Sequence, residues 1–245
     1  MNNKRPKLIF SDFDGTLTLG DELGPSFFTF LELVKKHDIP LVIVTGRSKS
    51  WGHFFMTHIS QIKYVISENG AVLTERGEHD LKDTLYIDEK HVKKIESFTE
   101  YLKIEYPDVP LTADSWGRHV DRAFDLDVLA LKEGLKEEIE KCMDNHGICY
   151  STSSVHLNFW SGDISKSNAC HRILKDKFTG TGVEDCLFFG DSLNDESMFG
   201  DFPSVGVSNI SKVIDKLKTK PDVILMGKEN CGPLGVINHL ISVLK

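Results

Sequence analysis

This chain of 245 residues is poor in several things. Its five cysteines (Cys142, Cys149, Cys170, Cys186 and Cys231) are odd in number, scattered, and form no CxxC pair. That argues against a disulfide framework and against a thiolate zinc site, and reduced thiols in a cytoplasm are the expectation. No apolar run approaches the roughly 20 residues that span a bilayer, so no membrane partner is expected. Leu8-Ile9-Phe10 follows a basic start but gives way at once to Ser11 and Asp12, too short an apolar core for a secretory leader. Positive charge is also in deficit. Lys and Arg number 29 against 37 Asp and Glu, a net charge of −8. A phosphate backbone attracts the opposite balance, so no nucleic-acid partner is expected. The ten histidines show no metal spacing, and there is no repeat or low-complexity segment. What is present, 40% hydrophobic and 27% charged residues, is the composition of an ordinary globular protein.

The pattern along the chain predicts alternating strands and helices at both ends. Lys7–Ser11, Pro40–Thr45, Tyr64–Ser67 and Cys186–Gly190 are short apolar runs of the kind that strands buried on both faces require. Ser204–Val207 and Asp222–Leu225 extend the series. Helices are expected over Pro25–His37, after an N-cap at Ser48, over Ser165–Phe178, around Ser211–Leu217 and over Pro233–Val243. Phe27, Phe28 and Phe30 read as core. Between about Gly77 and Gly162 the texture changes: helices over Glu89–Glu105 and Asp127–Asn145 accompany alternating strands such as Val155–Trp160. The expected fold is α/β, a Rossmann-like doubly wound parallel sheet formed by residues 1–78 and 162–245. Residues 79–161 form an inserted α+β cap, hinged near Gly77 and Gly162.

In such sheets ligands gather beyond the carboxyl ends of the strands. Those ends carry Asp12-Phe-Asp14-Gly-Thr16-Leu-Thr18, Thr45-Gly46-Arg47 and Gly190-Asp191-Ser192-Leu193-Asn194-Asp195, while one helix opens with Ser165-Lys166-Ser167. Clustered carboxylates repel one another unless a cation neutralises them. An all-oxygen donor set without Cys or His points to Mg2+, which readily shares phosphate oxygens. Lys166 and loop N–H groups would stabilise the remaining charge of a transferring phosphoryl group. Taken alone, Asp12-Phe-Asp14-Gly could be a turn or the start of a calcium loop, and Asp191 and Asp195 could merely favour a helix dipole. Thr179-Gly-Thr-Gly182 follows a helix instead of a strand and reads as a plain loop.

In order and spacing, these segments resemble the four motifs of the haloacid dehalogenase superfamily. The insertion resembles the type IIB cap of its sugar-phosphatase branch, and Ser67-Glu68-Asn69-Gly70-Ala71 is similar to a turn preceding that cap. The resemblance implies that Asp12 is the nucleophile and Asp14 the general acid and base. It implies that Asp12, the backbone carbonyl of Asp14, Asp191 and, as an additional or outer ligand, Asp195 hold Mg2+. Thr45, Gly46 and Lys166 would grip phosphoryl oxygens. Asn194 would bond there or steady the Lys166 amine. Arg47 stays open between touching substrate and pairing with a core carboxylate.

The implied activity is Mg2+-dependent hydrolysis of a small phosphorylated metabolite through an aspartyl-phosphate. The expected substrate is a sugar phosphate of the sucrose-6-phosphate, mannosyl-3-phosphoglycerate or trehalose-6-phosphate type. The alternatives are a mutase of the phosphomannomutase type and a non-catalytic phospho-acceptor module. Arg118, His119, Arg122, His156 and Asn158 are open between sugar contacts and an exposed charged face. A monomer or homodimer is expected.

Overall fold

The computed structural model describes residues 5–20 and 22–244. Its strands are β1 (Leu8–Ser11), β2 (Leu41–Val44), β3 (Tyr64–Ser67), β4 (Val72–Arg76), β5 (Leu81–Leu85), β6 (Arg122–Asp125), β7 (Cys149–Thr152), β8 (His156–Trp160), β9 (Cys186–Gly190), β10 (Ser204–Gly206) and β11 (Val223–Ile224). Helices are α1 (Pro25–Lys36), α2 (Lys49–His58), α3 (Glu89–Glu105), α4 (Leu126–Leu129), α5 (Leu135–Asn145), α6 (Lys166–Lys177), α7 (Glu196–Asp201) and α8 (Pro233–Val243). One sheet runs β11-β10-β9-β1-β2-β3-β4-β5. It is parallel from β11 to β3, and β4 and β5 add an antiparallel edge. A second, antiparallel sheet is ordered β6-β8-β7.

Alternation along the parallel strands sends side chains to two separate cores. Ile9, Ile43, Val65 and Phe189 pack with Phe27 and Phe30 of α1, Phe55 of α2 and Val236 and Leu240 of α8. Phe10, Val42, Ile66 and Phe188 pack on the opposite face with Cys170 and Ile173 of α6 and Met198 of α7. Helices therefore cover both faces, as the uninterrupted apolar strands require, and the doubly wound core expected from the sequence is present. Proline at the start of α1 sets its first turn, and Phe27, Phe30, Leu31 and Val34 form its buried stripe. Phe28 falls off that stripe and is 51% exposed, unlike its expected core placement.

The small sheet has a core of its own. Phe124, Leu157 and Phe159 meet Ile95 and Phe98 of α3 and Ile139 and Met143 of α5. The alternate residues of β8, His156 and Asn158, are also buried, on the side facing the strand ends of the large sheet.

Three further expectations are corrected. β5 pairs with β4 and extends the large sheet, so residues 81–85 lie in that sheet although the sequence placed them in the insertion. The helix expected over Asp127–Asn145 is broken at Gly134, whose left-handed φ of 76° starts α5 anew. Around 211–217 the chain makes only three-residue turns (Val213 N–H to Ile210 O, Lys216 N–H to Val213 O), not an α-helix.

Candidate active site

β1 is flanked by β9 and β2, and each ends at the same edge of the sheet. Asp12, the residue after β1, donates its N–H to Phe189 O and continues the ladder for one step. That register sets Asp12 beside Asp191, the residue after β9. One carboxylate oxygen from each of Asp12, Asp191 and Asp195 lies within 4.8 Å of the others, and all three residues are buried. The ion pairing comes from α6. Ser165 caps that helix by accepting from Asn168 N–H at 3.0 Å, and Lys166, its first residue, projects back into the cluster. Its Nζ donates to Asp12 Oδ1 at 2.6 Å and to Asp195 Oδ1 at 2.7 Å, with 1% of the lysine exposed.

Neighbours orient each carboxylate. Asp191 accepts from Thr16 Oγ1 at 3.1 Å and from Asn209 Nδ2 at 2.6 Å. Gly15, at φ 81°, passes so close that a Cβ there would sit 2.3 Å from Asp191 Oδ2; only glycine fits. The other oxygen of Asp195 accepts from the N–H groups of Asp191 and Ser192, at 3.0 and 3.1 Å. With Lys166 on its first oxygen, Asp195 is committed on both sides, which suits an outer ligand better than a direct one.

Burial and mutual repulsion dominate the electrostatics of the carboxylates. Burial, above all, pushes the Asp12 carboxyl up to about 7; Asp195 and Asp14 add to this and Lys166 opposes it. Burial likewise raises Asp191 well above the usual carboxylate range, with Asp12 and Asp195 reinforcing it. Burial works against the Lys166 charge, yet Asp12 and Asp195 hold its amine above the ordinary lysine value. Three buried carboxylates with a single lysine among them form an all-oxygen donor set of the kind a hard divalent cation takes.

The remaining predicted residues divide. Asp14 is brought to the edge of this cluster, but its carboxylate accepts two bonds from Arg47, from Nε at 2.8 Å and Nη2 at 2.7 Å. Its backbone carbonyl, expected on the metal, accepts from Ser154 Oγ of the small-sheet unit at 3.1 Å, leaving one lone pair. Arg47 therefore pairs with the core carboxylate, one of its two open roles. Thr45 Oγ1 accepts from Arg47 N–H at 3.1 Å, which leaves its hydroxyl proton available to a phosphoryl oxygen. Gly46 O accepts from Arg118 Nη1 and Asn158 Nδ2. Asn194 does not steady Lys166: its amide donates to Asn69 Oδ1 at 3.1 Å, and Asp195 does the steadying. Arg118 belongs to no exposed face. It is 5% exposed, its side chain bonded to Asp114 and Asp121.

Asn209 was not singled out in the sequence. It lies three residues beyond β10, so the strand-end rule, applied to one more strand, would have found it. Glu68, the first residue past β3, falls under the same rule, although its partners at 119–121 could not be read from it. Ser154 carried no such signal, because its contact joins distant segments.

A cavity of about 660 Å³ opens beside the cluster, between Asp14, Asp191 and Ser192 on one side and Leu126, Thr152 and Ser153 of the small-sheet unit on the other. This is the size of a small-molecule site. Among the described residues, no helix is long and apolar enough to cross a membrane.

The family model for haloacid dehalogenase-like hydrolases matches residues 9–109 and 81–220. The chain belongs to that family, as its four motifs implied. A phosphoglycolate phosphatase from Archaeoglobus fulgidus is 26% identical over 239 residues, covering 96% of this chain and 97% of the relative. Among solved structures, the sucrose-phosphatase of Synechocystis, in complex with sucrose and phosphate, superposes with a TM-score of 0.71 at 15% identity, covering 98% of each chain. A subclass IIB sugar phosphatase superposes with a TM-score of 0.65 at 17% identity, over 96% of this chain and 99% of the other. These structural likenesses extend to the fold alone.

Proposed function

We propose that this protein is a Mg2+-dependent phosphatase that hydrolyses a small phosphorylated metabolite through an aspartyl-phosphate on Asp12. The observation that carries the reading is the convergence of Asp12, Asp191 and Asp195 at the carboxyl ends of β1 and β9, with Lys166 paired to Asp12 and Asp195. Asp12, the backbone carbonyl of Asp14 and Asp191 would hold the ion, with Asp195 behind them. Bound there, Mg2+ would offset the carboxylate charge and polarise a phosphoryl oxygen.

The chain's own groups then divide the work. Asp12 attacks phosphorus, splitting one difficult displacement into two. Lys166, the Thr45 hydroxyl and the Gly46 N–H stabilise charge on the transferring group. Asp14 gives a proton to the departing alkoxide and later takes one from the attacking water. Residues 86–161 serve as the cap, and the cavity beneath them receives the leaving group. A sugar phosphate fits the resemblance to the sugar-phosphatase branch, and the phosphoglycolate phosphatase relative makes 2-phosphoglycolate the first comparison.

The test is phosphate release from a panel of sugar phosphates, 2-phosphoglycolate and p-nitrophenyl phosphate, with Mg2+ and with chelator. Mg2+-dependent release, with a metabolite preferred over the aryl ester, is the expected result. Isomerisation of a hexose 1-phosphate without phosphate release would replace the phosphatase reading with a mutase.

A further inference from the structure

One two-residue turn joins three parts of the site that are far apart in sequence. Glu68 and Asn69 follow β3 with left-handed backbones, φ 51° and 56°, which residues other than glycine seldom adopt. Such conformations persist where surrounding contacts over-determine them, and here the contacts are many. Glu68 N–H donates to Arg47 O at 2.9 Å and Asn69 N–H to Thr45 O at 3.1 Å, so the turn's backbone holds the Thr45–Arg47 loop.

The Glu68 side chain has no exposed surface and reaches into the small-sheet unit. Its carboxylate accepts from three successive backbone N–H groups, those of His119 (2.9 Å), Val120 (2.6 Å) and Asp121 (3.1 Å). It also accepts from Lys49 N–H, at the start of α2, at 3.2 Å. Consecutive N–H groups converging on one anion form a nest, and the anion in it belongs to the core. The Asn69 side chain completes the junction, donating to Asp121 Oδ2 at 3.2 Å and accepting from Asn194 Nδ2 at 3.1 Å.

We infer that Glu68 and Asn69 are positioning residues, through which the seating of segment 118–121 sets the geometry of the Thr45–Arg47 and Asn194 loops. This rests on the phosphatase reading above. Neither residue need touch the reacting atoms. A ligand that orders the Thr45 loop strengthens the nest, and by linkage the nest strengthens binding of that ligand by the same factor.

The test uses Glu68→Gln in the full chain. Its side-chain amide group presents N–H to N–H in the nest. The probe is orthovanadate with Mg2+, read by hydrogen exchange at the amides of residues 119–121. In the parent chain, vanadate slows exchange at these amides. In Glu68→Gln that slowing is lost, the vanadate inhibition constant rises about tenfold, and kcat/KM for p-nitrophenyl phosphate falls by a similar factor. Glu68→Asp, which keeps the charge, recovers part of each effect. If Glu68→Gln fails to fold, Asn69→Ala carries the same readings. The coupling is overturned if the variant keeps the parent's vanadate-dependent slowing, or if an active parent shows none at 119–121. A parent chain that neither binds vanadate nor releases phosphate sinks the phosphatase reading together with it.

Discussion

The Arg47 guanidinium engages the Asp14 carboxylate through two hydrogen bonds, Nε to Oδ2 and Nη2 to Oδ1. This fork fixes the plane of the group assigned proton transfer, and it must open on one side before Asp14 can present a proton to a leaving group. Arg47→Ala should therefore lower kcat for alkyl phosphates, whose leaving group needs a proton, by roughly 10–100-fold. It should affect p-nitrophenyl phosphate much less. Lysine lacks the planar fork, so Arg47→Lys should behave more like alanine than like the parent. Equal losses on both ester types would show that Arg47 does not act through Asp14.

Asp12→Asn removes the nucleophile with little change in shape. Turnover of every phosphate ester should fall by at least about 10³-fold, while the thermal midpoint stays within a few degrees of the parent's. A variant hydrolysing near the parent rate would reject the aspartyl-phosphate route.

Magnesium should stabilise the folded chain, because only the folded chain assembles the three carboxylates. At a concentration 100 times its Kd the gain is about 2.7 kcal/mol, read as a rise of the thermal midpoint by roughly 5–10 °C. Asp191→Asn should abolish the rise. The pH dependence follows from the raised Asp12 and Asp191 carboxyls. Between about pH 4 and 7 the folded state binds protons that the unfolded state has lost, so the metal-free protein loses stability as pH rises through that window. Differential scanning at several pH values, with Mg2+ and with chelator, checks both points.

Asp114 has the opposite sign. Burial opposes its charge, but Arg118 and the Thr112 hydroxyl bring it down to about 2. Its stabilising contribution is present above about pH 4 and disappears as pH falls toward 2. Asp114→Asn should cost roughly 2 kcal/mol at pH 7, and the difference from the parent should shrink on acidification. A denaturant midpoint difference that is constant from pH 7 to pH 3 would contradict this.

Local chemistry left clear marks in the chain. Uninterrupted apolar runs such as Leu41–Val44 meet strands covered on both faces, and residues immediately past a strand or opening a helix, such as Asp12, Asp191 and Lys166, fall where ligands gather. These features depend on a few neighbouring residues, and so they were legible before any coordinates. The edge strand β5 was not. Leu81–Leu85 is half polar and largely exposed, and only its pairing with β4 makes it part of the large sheet.

The same division holds within the site. Motif order and spacing predicted which groups would meet, because strand ends in a parallel sheet face one edge. Which partner each group takes was decided by packing: Arg47 on Asp14, Asp195 instead of Asn194 on Lys166, and the Glu68 carboxylate in the nest at 119–121. A hydrogen bond depends on tenths of an ångström between segments far apart in the chain, 154 residues for Lys166 and Asp12. One-dimensional spacing carries no such distances; the folded core, by setting two sheets and their loops against each other, does.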